Sequence, residues 1–193
     1  MIKLGILGST RGTSLLPIIE AINEKQLAAS IEVVLSNKPD ALILKRASEH
    51  GILSRYIESN DLSRDEYDAI ITGILREYQV ELIVLIGYMR ILSDRFIRDW
   101  QNKIINIHPS LLPAFAGKMD LDVHRAVLAD GVNETGCTVH MVTEEVDAGP
   151  VVVQKKCRVL ADDTPETLKA RVQALEGEAL IEAISQHRQA LSE

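Results

Sequence analysis

Cysteine is scarce in this chain. Cys137 and Cys157 are the only two, and no Cys-x-x-Cys pair occurs. That excludes a disulfide framework and points to two free thiols in a reducing cytoplasm. No set of ligand residues has the spacing of a zinc site, so no metal is expected. Positive charge is also in deficit, with a net charge of -7. This argues against a nucleic-acid partner held through phosphate contacts, though not against a local basic pocket for a small phosphate. No apolar run approaches the ~20 residues that a membrane-spanning helix needs, so no membrane partner is expected. The stretch from Met1 to Gly8 is too soon interrupted for a signal peptide. No internal repeat, low-complexity linker or second domain is visible. What is present is 193 residues, 46% apolar and 25% charged, the profile of one soluble globular domain with a sizeable core. Small-molecule partners fit that profile, and a homo-oligomer is left open.

Strand and helix signals alternate along the chain. Ile2 to Leu7 is a short apolar run and reads as a buried strand. A small-residue loop, Gly8 to Ser14, leads into a helix with Leu15, Leu16, Ile18, Ile19 and Ile22 at helical spacing. Further strands are expected at Ile31 to Leu35, weakly near Leu53 to Ile57, at Leu82 to Ile86 and at Ile104 to Ile107. Helices are expected between them, one stopped at His50-Gly51 and one opened by the Ser63-x-x-Glu66 capping-box pattern. The fold class is therefore α/β: a doubly wound, mostly parallel open sheet with helices on both faces. Toward the C-terminus the pattern changes. A helix from Leu121 to Ala129 precedes a strand around Thr138 to Thr143 with one face exposed. A second strand, Val151 to Leu160, is expected to run antiparallel to its neighbour. Thr164 and Pro165 then start a last helix, with Leu168, Val172, Leu175, Ala179 and Ala183 on its buried side.

Ligands of such sheets sit beyond the carboxyl ends of the strands. Three polar stretches fall there: Gly8–Ser14, Tyr88–Arg90 and Asn106–His108. The first is a candidate anion site, because backbone N–H groups at a helix N-terminus favour phosphate. It is neither a P-loop, since no Lys follows Gly12, nor a G-x-G-x-x-G loop. Asn106 and His108 lie two apart on a strand and share a face, a pair able to donate hydrogen bonds to an oxyanion. Asp147, in a turn-rich acidic loop, is a candidate partner for His108 and would raise its pKa by favouring the charged form. Gln173 and Glu176 share a face of the last helix, where a solvated face is the bland alternative. His140 reads as structural, and His50, His124 and His187 as surface or capping residues.

Three runs are similar to the folate-dependent formyltransferases: Gly87-Tyr88-Met89-Arg90-Ile91-Leu92, Asn106-Ile107-His108-Pro109-Ser110-Leu111-Leu112-Pro113 and Val146-Asp147-Ala148-Gly149-Pro150. The likeness covers essentially the whole chain, and Gly12, Arg64, Gln173 and Glu176 favour the glycinamide ribonucleotide branch. It implies one formyltransferase domain over residues 1–193. Within it, residues to about 100 would serve the phosphate and ribonucleotide, and the rest catalysis and folate. It implies Asn106, His108 and Asp147 as the catalytic set. Gly12, Thr13, Ser14, Gln173 and Glu176 would take the substrate's phosphate and ribose. Arg64, Met89, Arg90, Ile91, Leu92, Asn106, Thr143, Glu144, Glu145, Val146 and Asp147 would take the folate. The co-substrate implied is 10-formyltetrahydrofolate, and the acceptor the amine of N1-(5-phospho-D-ribosyl)glycinamide, in purine biosynthesis. Two departures stand out. The family's Gly-Asn-Gly-Ser-Asn type of loop is here Ser9-Thr10-Arg11-Gly12-Thr13-Ser14, and Ala116 and Lys118 flank Gly117 where many members have a proline and, shortly after, a histidine. A 10-formyltetrahydrofolate hydrolase, a formyltransferase on another amine, and a non-catalytic phosphate or nucleotide sensor are the alternatives. A strand starting directly at Met1-Ile2-Lys3 would leave no room for the extra N-terminal domain usual in the hydrolases.

Overall fold

Short apolar runs become parallel strands in the first of two units into which the chain divides, Met1–Asn106; the second begins at Ile107. The computed structural model describes residues 1–190. In the first unit β1 (Ile2–Leu7) pairs in parallel with β2 (Ala29–Ser36) on one side and β4 (Leu82–Leu85) on the other. The short β3 (Ser54–Tyr56) pairs with β2, and β5 (Ile104–His108) with β4, giving the order β3-β2-β1-β4-β5. Leu4, Ile6, Leu7, Val33, Val34, Ile83 and Val84 are fully buried. Central strands covered on both faces need apolar residues at consecutive positions, which is why these runs do not alternate.

The connecting helices are α1 (Leu15–Asn23), α2 (Leu42–Glu49), α3 (Arg64–Glu77) and α4 (Asp94–Asp99). The capping box at α3 forms as its sequence predicts. Ser63 Oγ accepts from Glu66 N at 3.3 Å, and the Ser63 N–H donates to the Glu66 carboxylate at 2.8 Å. Ser14 stands at the N-cap of α1 with helical backbone angles and gives that helix no side-chain capping bond.

In the second unit β6 (Glu134–Met141) and β7 (Val151–Arg158) are antiparallel. Both α5 (Leu121–Asp130) and the long α6 (Pro165–Ala190) belong here, and α6 packs on β6, β7 and α5. The architecture is thus the mostly parallel α/β sheet with surrounding helices that the alternation predicts, with antiparallel pairing toward the C-terminus. No helix among the described residues is long and apolar enough to cross a membrane.

Three expectations are corrected here. β6 has no exposed face over its length: Cys137, Thr138 and Val139 are 0% exposed and His140 2%. Its polar residues find partners inside the unit rather than in solvent. His124 is 1% exposed and so not a surface residue. On α6 the buried stripe runs through Val172, Glu176, Ala179, Leu180, Ala183 and Ile184, with Leu175 half-buried at its margin. Glu176 faces Cys137 of β6, whose thiol it helps push up to about 12 after burial itself. The helix face carrying Glu176 is therefore packed, not solvated.

Candidate active site

Alternation along β5 buries Ile105 and Ile107 and carries Asn106 and His108 to the strand's carboxyl end. His108 is 4% exposed, and Asn106 is half-buried. The turn behind His108 is fixed by one hydroxyl. Thr138 Oγ1 donates to Ser110 O at 2.6 Å and accepts from Leu112 N at 3.0 Å and from Gln154 Nε2 at 3.0 Å. Gln154 also donates to Leu112 O at 2.9 Å, and Ser110 Oγ to Ala114 O at 2.6 Å.

The loop after β6 is fastened at its neck, where Met141 N donates to Pro150 O at 2.9 Å. A Cβ on Gly149 would stand 1.8 Å from the Met141 carbonyl oxygen. Only glycine lets the two backbone stretches approach so closely. Within the loop Asp147 is left-handed, with φ of 56°, a conformation that Asp and Asn tolerate better than most residues. Its side chain is 10% exposed and meets two imidazoles. Oδ2 lies 3.3 Å from His108 Nδ1, and Oδ1 lies 3.5 Å from His140 Nε2. The Gly117 N–H donates to Oδ2 at 2.8 Å.

Each ring also faces a backbone carbonyl with its other nitrogen. Phe115 O is 3.4 Å from His108 Nε2, and Met141 O is 2.9 Å from His140 Nδ1. A neutral imidazole has one N–H and can serve only one of its two acceptors. Burial nonetheless holds His108 below its ordinary 6.5, with Asp147 and the Phe115 carbonyl pulling upward and His140 downward. The contact with Asp147 is therefore as expected, but the upward shift is not, because desolvation outweighs it. Burial is the largest single influence on Asp147 too and pushes it up. The hydrogen bonds from His140 and Gly117 and the charges of both histidines outweigh it, holding the carboxyl below its ordinary 3.8. Asp147 is thus ionised at neutral pH, beside a His108 that is neutral there.

The remaining candidates fall in separate places. In the first unit Gly12 is buried, Thr13 half-buried and Ser14 2% exposed. Arg64 is the exposed first residue of α3. After β4, Met89 is 45% and Ile91 57% exposed, while Leu92 is buried. The Arg90 guanidinium lies 4.2 Å over the Tyr67 ring. In the second unit Thr143, Glu144, Glu145 and Val146 form an exposed loop before Asp147, with Thr143 Oγ1 donating to Glu145 O at 3.1 Å. Gln173 is half-buried on α6 and Glu176 buried. Sequence reasoning missed His140, the Phe115 carbonyl and the Gly117 N–H as members of the cluster. The available signal was the strand-like spacing of Thr138 and His140 just ahead of the Asp147 loop. Among the described residues no group of three or more His, Cys, Asp or Glu is arranged to hold a metal ion.

Residues 2–184 match the family model described as Formyl transferase. The chain is 44% identical over 184 residues to the trifunctional purine biosynthetic protein adenosine-3 of Gallus gallus, covering 95% of this chain and 18% of that protein. It is 39% identical over 172 residues to the phosphoribosylglycinamide formyltransferase of Escherichia coli (strain K12), covering 89% of this chain and 80% of that one. Among solved structures, glycinamide ribonucleotide transformylase 1 from Symbiobacterium toebii superposes with a TM-score of 0.91 at 40% identity, covering 96% of this chain and 86% of that one. The chain spans less than a fifth of the length of the trifunctional relatives it matches.

Proposed function

The chain belongs to the formyl transferase family, and we propose that it moves a formyl group from 10-formyltetrahydrofolate to the amine of N1-(5-phospho-D-ribosyl)glycinamide, a step of purine biosynthesis in the cytoplasm. The observation that carries the reading is the buried contact of His108 with Asp147 at 3.3 Å, two residues after Asn106 on β5.

In this reading the amine attacks the formyl carbon, a C–N bond forms and the carbonyl oxygen becomes an oxyanion. Neutral His108 points its Nδ1–H at ionised Asp147 and takes the amine's proton at Nε2. The resulting imidazolium pairs with Asp147 and, with the Asn106 amide, stabilises the oxyanion. Losing one such donor typically costs about 10²–10³ in rate. The oxyanion then collapses, the bond from carbon to N10 breaks, and N10 receives the proton as tetrahydrofolate leaves. Every proton is accounted for by one imidazole, and no covalent intermediate on the protein is needed.

Gly12, Thr13 and Ser14, at the N-terminus of α1, hold the phosphate, with Gln173 and Glu176 toward the ribose. Met89 to Leu92 and Thr143 to Asp147 take the pteridine, and Arg64 lies toward the folate; the exposed apolar side chains of Met89, Ile91 and Val146 support this. The chain acts as a single formyltransferase domain on small-molecule substrates, without nucleic acid or membrane.

The test is folate absorbance on mixing the protein with 10-formyltetrahydrofolate, with and without glycinamide ribonucleotide. Tetrahydrofolate release only with the ribonucleotide is expected. Release without it would make water the acceptor, and no release in either case would overturn the reading.

A further inference from the structure

Leaving β1, the chain of the first unit builds β2 and β3 on one side and then returns to build β4 and β5 on the other. β1 and β4 therefore flank the point where the winding reverses, the place where open parallel sheets receive ligands. Two loops leave strand ends there: residues 8–14 after β1 and residues 87–92 after β4.

One side chain joins them. Ser9 is 8% exposed. Its N–H donates to Gly87 O at 3.1 Å. Its Oγ accepts from Met89 N at 2.9 Å and donates to Asn37 Oδ1 at 2.6 Å. Asn37, itself 8% exposed, follows the last residue of β2. The hydroxyl's single proton is committed to Asn37 while its oxygen takes the Met89 N–H. The next residue adds a steric contact. A Cβ at Gly87, where φ is 57°, would stand 2.3 Å from Thr10 Oγ1. The far end of the 87–92 segment is fixed separately. Asp68, 2% exposed, accepts from Ser93 N at 2.6 Å, and Arg90 rests on Tyr67 of α3. The near end, at Gly87 and Met89, is tied to Ser9.

We propose that Ser9 is a positioning residue through which the two loops set each other's geometry, so that the ribonucleotide and the folate bind with positive cooperativity. The inference rests on the functional reading above, which puts the phosphate on the first loop and the pteridine on the second. A ligand that orders the 8–14 loop fixes the Ser9 hydroxyl, and with it the Met89 amide. The effect is reciprocal, because linkage requires each ligand to change the other's affinity by the same factor.

Tetrahydrofolate and glycinamide ribonucleotide form no product together, so calorimetry can measure tetrahydrofolate binding with and without saturating ribonucleotide. For the wild-type chain the ribonucleotide is expected to tighten tetrahydrofolate binding by about 5-fold or more. In Ser9→Ala that ratio falls close to unity, and Ser9→Thr, which keeps the hydroxyl, restores it. A merely structural role for Ser9 would lower the melting temperature and leave the ratio unchanged. If Ser9→Ala does not fold, Asn37→Ala, which removes the acceptor that orients the hydroxyl, is expected to lower the ratio as well. A wild-type ratio of unity, or a folded Ser9→Ala or Asn37→Ala that keeps the wild-type ratio, overturns the proposal. A wild-type chain that binds neither ligand overturns the functional reading and this inference with it.

Discussion

His108 and His140 are bridged by one carboxylate, with Asp147 Oδ2 3.3 Å from the first ring and Oδ1 3.5 Å from the second. The second ring's other nitrogen faces the Met141 carbonyl at 2.9 Å. The Gly117 N–H also donates to Asp147 Oδ2 at 2.8 Å, so the carboxylate's orientation toward His108 does not depend on His108 alone. Asp147→Asn keeps the shape and removes the charge. Its turnover is expected to fall by about 10²–10⁴, with tetrahydrofolate affinity within a few-fold of wild type. His140→Gln removes only the second support and is expected to cost turnover about 10-fold, the worth of roughly one hydrogen bond. Steady-state kinetics beside calorimetry separates the two effects, and near-normal turnover in Asp147→Asn would contradict the assigned role.

The pH profile follows from the direction of the His108 shift. Burial holds its pKa below 6.5, and in the proposed mechanism the neutral ring is the form that accepts the amine's proton. kcat/KM is therefore expected to rise with pH and level off by about pH 7, with the midpoint of the limb below the ordinary histidine value. Asp147 pulls His108 upward, so Asp147→Asn should move that limb to lower pH while lowering its plateau. A limb that moves to higher pH would mean that another group is titrating.

His124 makes stability acid-sensitive. It is 1% exposed, its Nδ1 has no hydrogen-bond partner, and it lies beside the paired Lys169 and Asp120. Burial first, and then the charge of Lys169, lowers its pKa to about 4 against an upward pull from Asp120. The unfolded chain binds a proton at this residue from about pH 6.5 downward. Between those values the unfolded state holds more protons, so stability is complete above the upper one and drains away as pH falls toward the lower. The loss is about 3 kcal/mol over the window. Urea denaturation at neutral and mildly acid pH should show a shallower acid limb for His124→Gln than for wild type.

Thr138 carries more bonds than its size suggests, since one hydroxyl serves Ser110, Leu112 and Gln154. Thr138→Val preserves the volume and strands a buried N–H and a carbonyl in the turn behind His108. A loss of about 1–3 kcal/mol is expected, read as a lower urea midpoint with an unchanged slope. Turnover should fall as well, because the turn that carries the strand away from His108 loses its tie to β6.

Most of the first unit was legible because its signals are local. The apolar runs of β1, β2 and β4 and the capping box at Ser63 and Glu66 act over a few residues, and each element forms where its residues predict. β6 was misread for a physical reason. Thr138 and His140 have the alternation of a half-solvated strand, but their partners are Ser110, Leu112 and Asp147, which are distant in sequence or follow a turn. Polarity reports a need for hydrogen bonds, not for water. The same holds for Glu176 and His124, which are polar and buried. For His108 the charge partner could be inferred and the desolvation could not, because burial depends on how the whole unit packs. His140 was passed over because a histidine on a strand shows its partner only once the following loop has folded back.

The neck formed by Gly149 and the bond from Met141 N to Pro150 O separates the loop's tip from its base. Glu144, Glu145 and Val146 are exposed between these fixed points, so the tip behaves as an interchangeable cassette. Substitutions at the tip are expected to leave the carboxylate of Asp147 in register. A single side chain added at residue 149 would shift that register without touching any group that meets a substrate. Innovation and inactivation are therefore segregated along a few consecutive residues of the same loop.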